Sequence, residues 1–126
     1  MNTVDCKAAP VGKYSATRVV TLGRAKLIYI SGLTSGPDAP FDVRAQADII
    51  FRKMEALIAQ EGGGLRHLVK ITAYLVDMRE YGAYNEVRNR IFADVDAPPA
   101  SATVGVSELV RPEARIEIDG VACIEG

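Results

Sequence analysis

Residues that bind metals or form disulfides are scarce in this sequence of 126 residues, which has one histidine and two cysteines. His67 has no Cys/His cluster around it, so the sequence offers no dedicated zinc site and we expect no metal. Cys6 and Cys123 lie at opposite ends of the chain and do not have CxxC spacing. This arrangement favours two reduced thiols over a disulfide.

Long apolar runs and an excess of one charge are also absent. No run approaches the ~20 residues that a membrane-spanning helix needs, and the first residues show no basic region followed by an apolar one. We therefore expect a cytoplasmic protein with no membrane partner. The 15 basic and 16 acidic residues are interspersed and give a net charge of −1. The sequence thus has no source for a basic surface, and we expect no nucleic-acid partner.

The length and composition are those of an ordinary globular protein. A chain of 126 residues is long enough for one two-layer core and too short for two independent cores. We therefore predict a single domain over residues 1–126. Hydrophobic residues make up 48% and charged residues 25% of the chain, which excludes a disordered or fibrous protein.

The first half of the chain predicts a β-hairpin and a helix. Two runs rich in aliphatic and β-branched residues, 14–22 and 26–32, flank Gly23 and an arginine, which is typical of a hairpin turn. A Gly-Pro-Asp sequence within residues 34–40 predicts a loop. An aspartate able to cap a helix then begins an apolar stripe of helical period, which predicts a helix over about 42–60.

The second half predicts three strands around a second helix. Alternating side chains predict a strand over 69–76, with one face formed by Val69, Ile71, Ala73 and Leu75. An aspartate and a glutamate at capping-box spacing predict a helix over 77–92. Strands at 101–106 and 115–122 complete the order ββαβαββ, which is an α/β (α+β) fold.

Two helices can cover only one face of such a sheet, so the other face needs another partner. The side chains that we assign to the uncovered face are mainly small or apolar, namely Val19, Tyr29, Val76, Val121 and Cys123. We therefore expect that self-association buries this face. A closed cyclic oligomer would do so, with the ligand site where subunits meet.

A family pattern runs through the chain, in the segments Ala8-Ala9-Pro10, Gly12-Lys13-Tyr14, Tyr29-Ile30-Ser31-Gly32, 69–78, Tyr84-Asn85-Glu86-Val87 and Ile116-Glu117-Ile118. In the order and spacing of these segments, the chain resembles the RidA (YjgF/YER057c/UK114) family. The resemblance implies a chorismate-mutase-like fold with both helices on one face, and a homotrimer whose sheets form a central barrel with three clefts between subunits. It also implies cofactor-free hydrolysis of reactive enamines and imines, such as 2-aminoacrylate, to a ketone or keto acid and ammonia.

One departure from the family pattern concerns the substrate. Deaminating members usually carry an arginine before the fourth strand, and it binds the substrate carboxylate in a bidentate manner. Ser101 stands at that position here, and Thr103 stands where several members have cysteine. A serine hydroxyl cannot replace a fixed positive charge, so we expect a small-molecule substrate that differs from 2-aminoacrylate and depends less on a carboxylate. Arg111 or Arg115 could supply the missing charge.

Glu117 is the candidate catalytic residue. It matches the family glutamate and alternates with two isoleucines, so it projects from the opposite face of its strand, where it can activate water. From the residues alone, an exposed strand glutamate paired with Lys or Arg is the favoured interpretation, because isolated strand carboxylates are mostly on the surface. The family match reverses this preference.

The other candidate site residues have both a functional and a structural interpretation. Tyr14 can close a cleft or merely pack, and Gly32 can allow close approach to a ligand or form a turn. Ser101 and Thr103 can bind a ligand or satisfy backbone groups, and Asn85 can hold backbone at a subunit boundary. We expect a hydrolase, with a non-catalytic small-molecule-binding or regulatory trimer as the alternative.

Overall fold

A computed structural model describes residues 12–126, so Cys6 and the family-like segment at residues 8–10 lie outside the described residues. Within residues 12–126 the strands and α-helices follow the predicted order ββαβαββ. Their bounds are β1 Thr17–Leu22, β2 Ala25–Leu33, α1 Val43–Ala59, β3 Leu68–Leu75, α2 Tyr81–Ile91, β4 Ala100–Gly105 and β5 Ile116–Ile124.

The strands form one mixed sheet in the order β1-β2-β5-β3-β4. β1 and β2 form the predicted hairpin, with Gly23 in the turn at a φ of 60°, a conformation that favours glycine. β5 lies in the middle and pairs antiparallel with β2 and β3. β4 pairs parallel to β3 at the edge, which requires a crossover connection, and α2 supplies it.

Both helices pack on one face of this sheet. Their apolar sides share a single core with alternate residues of the strands. In β5, Ile116, Ile118 and Ala122 are fully buried in that core, so Glu117 and Asp119 project from the other face. We call that other face the open face. Within residues 12–126, no helix has both the length and the apolar character needed to cross a membrane.

The first helix begins and ends as predicted. The Asp42 side chain accepts a hydrogen bond from the Ala45 backbone N–H at 2.9 Å, which satisfies one of the free donors at the start of α1. The helix ends at Ala59, and Gly62 follows with a φ of 89°. A glycine in this left-handed conformation is a common way to end a helix.

The start of the second helix differs from the prediction. Asp77 caps a 3-10 turn over Met78–Glu80, and α2 begins only at Tyr81. Asp77 accepts bonds from both the backbone and the guanidinium of Arg79, while Glu80 binds Arg115 at 2.8 Å. Because both carboxylates have these other partners, the predicted capping box does not form.

Two strands also differ from the prediction in detail. The first strand begins at Thr17, so Tyr14 lies in the bend before it and not within it. In β3 a register shift between Leu68 and Lys70 places Leu68 in the core, whereas Val69 is 47% exposed. A bulge of this kind reverses the inward and outward positions on one side of it.

The open face contains part of the predicted apolar set. Tyr29 pairs with Val121, and Cys123 pairs with Leu27, all on the open face. Val19 was wrongly assigned: it pairs with the fully buried Ile28 and packs against the core. Val76 lies beyond the end of β3. The apolar patch of the open face therefore comprises Val20, Leu27, Tyr29, Val121 and Cys123.

Candidate active site

Glu117 lies against Gly32 on the open face. β2 and β5 are antiparallel neighbours whose register shifts between Ile30 and Leu33, and Gly32 is within this irregular segment. The shift lets the Glu117 side chain rest on the Gly32 backbone, where any Cβ atom would overlap the carboxylate. Glycine is thus required for the observed position of the carboxylate.

The surroundings of Glu117 favour its protonated form. Burial raises the pKa of the Glu117 carboxyl, and the nearby negative charge of Asp119 raises it further. Asp119 has its own partner, because the Tyr74 hydroxyl donates to it at 2.9 Å. Among residues 12–126, no hydrogen bond or ion pair holds the Glu117 carboxylate, which leaves its oxygens available to a ligand or water.

Glu117 is at one side of a cavity of about 850 Å³, which we call the Glu117 cavity. Its walls are formed by Gly12, Tyr14, Ser31, Gly32, Thr34, Gly36, Pro37, Val110, Arg111 and Glu117. Three predicted site residues, Tyr14, Gly32 and Glu117, therefore meet here. The tyrosine side chain is 59% exposed, so it forms an outer wall of the cavity and is not part of the core.

The two arginines considered as sources of positive charge have different environments. Arg111 reaches the Glu117 cavity while its Nε donates to Glu113 at 2.9 Å. Arg115 holds Glu80 through two bonds of 2.8 and 3.0 Å and stacks over the Phe41 ring. Arg115 is thus occupied in tying the turn before α2 to the start of β5.

Ser101 and Thr103 lie on the opposite face of the sheet from Glu117. In the parallel ladder Ser101 pairs with Ile71, and Thr103 pairs with Ala73. Both partners are buried in the core beneath the helices, so the two polar side chains point to the helix side. A single chain therefore does not bring the predicted site residues together.

A second cavity of about 840 Å³ lies beside α2 and β4, and we call it the Arg88 cavity. It is lined by Met78, Tyr81, Arg88, Asn89, Phe92, Pro98, Pro99, Ser101 and Thr103. Arg88 donates to Ser101 Oγ at 3.0 Å and to the Tyr81 hydroxyl at 2.8 Å. It also donates to Asn85 Oδ1, so Asn85 serves to orient Arg88.

Potential metal ligands are not clustered in the described part of the chain. No group of three or more His, Cys, Asp or Glu side chains is arranged to hold a metal ion within residues 12–126. His67 Nδ1 accepts a hydrogen bond from the Gly64 N–H at 3.0 Å, which stabilises the turn before β3.

The sequence model of the Endoribonuclease L-PSP family matches residues 6–124, nearly the whole chain. The chain belongs to this family, the RidA family. The resemblance stated above is therefore confirmed, and it extends over both cavities.

Individual RidA-family proteins are similar over most of their length. The chain is 35% identical over 117 residues to Protein DfrA of Myxococcus xanthus, covering 89% of this chain and 86% of that protein. It is 30% identical over 127 residues to the 2-iminobutanoate/2-iminopropanoate deaminase of Dermatophagoides farinae, with 92% and 89% covered. A solved structure of a YjgF/YER057c/UK114 family member from Mycobacterium tuberculosis is 27% identical, with a TM-score of 0.74 and 88% and 86% covered. The α+β fold, with two helices and a mixed five-stranded sheet, is thus that of the RidA family.

The sequence-based reasoning missed Arg88. In the sequence this arginine is one of several charged residues on the polar side of a helix, and most such residues are solvated. One signal was available: Tyr81, Asn85 and Arg88 are separated by four and three residues, so they share one helix face. The sequence does not show that this face turns toward Ser101.

Proposed function

We propose that this RidA-family protein hydrolyses small imines and enamines, releasing ammonia, with Glu117 as the general base. The observation that carries the proposal is the Glu117 carboxylate, half-buried against Gly32 in a cavity and without a bonded partner among residues 12–126. A carboxylate with a raised pKa is suited to accept a proton and later return it. The similarity to a 2-iminobutanoate/2-iminopropanoate deaminase supports this chemistry.

The proposed reaction needs only water and side chains of the protein. The imine nitrogen first takes up a proton from solvent to give the iminium. Glu117 then accepts a proton from water as the water oxygen bonds to the iminium carbon and the C=N π electrons move to nitrogen, which gives the neutral carbinolamine. Glu117 returns its proton to nitrogen, the C–N bond breaks with its electron pair leaving on ammonia, and the carbonyl forms as the carbinolamine hydroxyl releases its proton to solvent. An enamine first takes a proton on carbon to become the imine.

We also propose that the protein is a homotrimer whose site lies between subunits. Two features support this arrangement: the apolar patch of the open face is uncovered in one chain, and Glu117 and Ser101 occupy opposite faces of the sheet. In a ring of three subunits, the Glu117 cavity of one subunit can meet the Arg88 cavity of its neighbour. Such a cleft would exclude water from the reacting atoms better than either open cavity.

The test is ammonia release from imines generated freshly in the assay, with the uncatalysed rate subtracted. Glu117→Gln keeps the size of the side chain but cannot accept the proton, so the rate is expected to fall by about 10²- to 10⁴-fold. Glu55→Gln is the control, since Glu55 is a half-buried residue of α1 whose one ion-pair partner among residues 12–126 is Arg52. Equal rates for wild type and Glu117→Gln would show that Glu117 is not the general base. A bound imine-like ligand recovered unchanged would instead favour the non-catalytic trimer.

A further inference from the structure

Within the described part of the chain, residues 12–126, only neutral oxygens bond to the Arg88 guanidinium. Its three bonded partners are the side chains of Ser101, Tyr81 and Asn85. On the same helix, Arg90 binds the carboxylate of Asp48 at 3.0 Å, whereas Arg88 has no carboxylate partner among residues 12–126. Arg88 therefore places an uncompensated positive charge at the wall of a cavity.

A buried polar residue, Tyr84, lies beside Arg88 but is not among the residues that line the cavity. Tyr84 is fully buried, and its hydroxyl makes no well-formed hydrogen bond within residues 12–126. Burial raises the pKa of this hydroxyl, and the nearby Arg88 and Ser101 side chains oppose that rise. The Arg88 guanidinium lies over the Tyr84 ring, 5.2 Å from the centroid. The Tyr84 ring thus supports Arg88 from the protein interior, and the guanidinium offers the cavity an anion site that a carboxylate would complete.

The position of this charge is close to that of the missing family arginine. Ser101 is the residue that stands in place of that arginine, and Arg88 Nη1 lies 3.0 Å from its hydroxyl oxygen. Arg88, on α2, thus places a positive charge next to Ser101 of β4, the position at which the family pattern has its arginine. A guanidinium has five N–H donors in a planar fork, and the Nε–H of Arg88 bonds to none of residues 12–126.

We infer that Arg88 binds the carboxylate of the substrate, with Ser101 and Asn85 as positioning residues that orient its guanidinium. The substrates are then 2-imino or 2-enamino acids, and Ser101 does not remove the preference for a carboxylate. This inference rests on the proposed function, and it replaces the expectation that the substrate depends less on a carboxylate.

Binding of a stable product-like acid tests the inference without turnover. The probes are 2-oxobutanoate and its neutral counterpart 2-butanone, measured by calorimetry or ligand-detected NMR. Arg88→Met is expected to weaken 2-oxobutanoate binding by about 10- to 100-fold and to leave 2-butanone unchanged. Arg90→Met, on the same helix and paired with Asp48, is the matched control and is expected to bind as wild type.

A second variant covers the case in which Arg88→Met does not fold. Ser101→Asp keeps the arginine but places a carboxylate against it, so an internal ion pair should displace the acid and give a similar loss of binding. If either folded variant binds 2-oxobutanoate as wild type does, the inference fails. Acid binding that depends on Arg88, without any turnover, would support the inference and contradict the proposed hydrolase activity. Turnover that requires Glu117 but not Arg88 would support the hydrolase activity and contradict the inference.

Discussion

At the scale of single residues, Gly32 determines where the Glu117 carboxylate lies. A Cβ at Gly32 would overlap that carboxylate, so Gly32→Ala must displace it from its place on the β2 backbone. We expect the rate of imine hydrolysis to fall by about 10- to 100-fold, because small displacements of a catalytic group have effects of this size. The measurement is kcat for ammonia release.

The matched control for Gly32→Ala is Gly82→Ala. A Cβ at Gly82, in α2, would meet nothing within 4 Å. This substitution should leave kcat unchanged and stabilise the helix by about 0.5–1 kcal/mol. If both variants retain the wild-type rate, the contact between Gly32 and Glu117 has no part in catalysis.

The raised pKa of Glu117 predicts the pH dependence of the reaction. A general base acts when deprotonated, so kcat/KM should fall as the pH decreases through the pKa of Glu117, which lies above the ordinary value of 4.5. Asp119→Asn removes a negative charge that raises this pKa. The acid limb of the profile should then move to lower pH, and a limb that stays in place would exclude Glu117 as the titrating group.

Single residues also mark the limit of prediction from this sequence. The position of Glu117 on the open face could be predicted, because an alternating strand fixes the face that a side chain occupies. The position of Arg88 beside Ser101 could not be predicted, because it depends on a contact between α2 and β4, and helix periodicity does not identify that neighbour. The catalytic role assigned to Glu117 remains a prediction. So do the ligand-binding roles assigned to Tyr14, Gly32, Asn85, Ser101 and Thr103.

At the scale of elements, Gln46 joins α1 to the two loops that precede α1 and β5. Its side chain is buried, and it donates to the carbonyls of Pro40 and Glu113 at 3.0 and 3.1 Å and accepts from the Arg115 N–H at 2.8 Å. Gln46→Leu leaves these backbone groups without partners, so we expect a loss of about 2–4 kcal/mol in the free energy of unfolding.

Denaturant unfolding of Gln46→Leu, compared with Gln60→Leu, measures this effect. Gln60 is exposed at the end of α1, so the same chemical change there should alter stability by less than about 0.5 kcal/mol. Equal losses at the two positions would mean that the buried hydrogen bonds of Gln46 contribute nothing.

The elements themselves were predictable from local patterns. Hydrophobic period, the Asp42 cap and the turn glycines led to the observed order ββαβαββ. The differences arise where side chains choose tertiary partners: Glu80 binds Arg115 instead of capping α2, and the β3 bulge turns Val69 outward. Neither difference can be predicted from the local sequence. The partner of Glu80 lies just before β5, and the β3 bulge depends on pairing with β5.

At the scale of the whole molecule, the location of the site between subunits can be tested by mixing defective chains. Chains carrying Glu117→Gln and chains carrying Arg88→Met are expected to have little activity alone. Trimers refolded from an equal mixture should regain about a quarter of the wild-type activity, because a complete site needs one intact residue from each of two neighbours. No recovery in mixed trimers would place the whole site within one chain.

Other statements at this scale remain predictions from composition. They are the single domain over residues 1–126, the cytoplasmic location, and the expectation of no membrane or nucleic-acid partner.

The open face of the sheet has a thermodynamic consequence for the proposed trimer. If its apolar patch, with Tyr29 46% exposed and Val20 37% exposed in one chain, is buried only on assembly, folding and association share one equilibrium. Mass action then makes the melting temperature depend on protein concentration. Dilution from about 100 to about 1 µM should lower the Tm, and mass measurement at the higher concentration should give about 41 kDa, three times the 13.6 kDa of one chain. A concentration-independent Tm with a mass of one chain would show that the open face is stable in water.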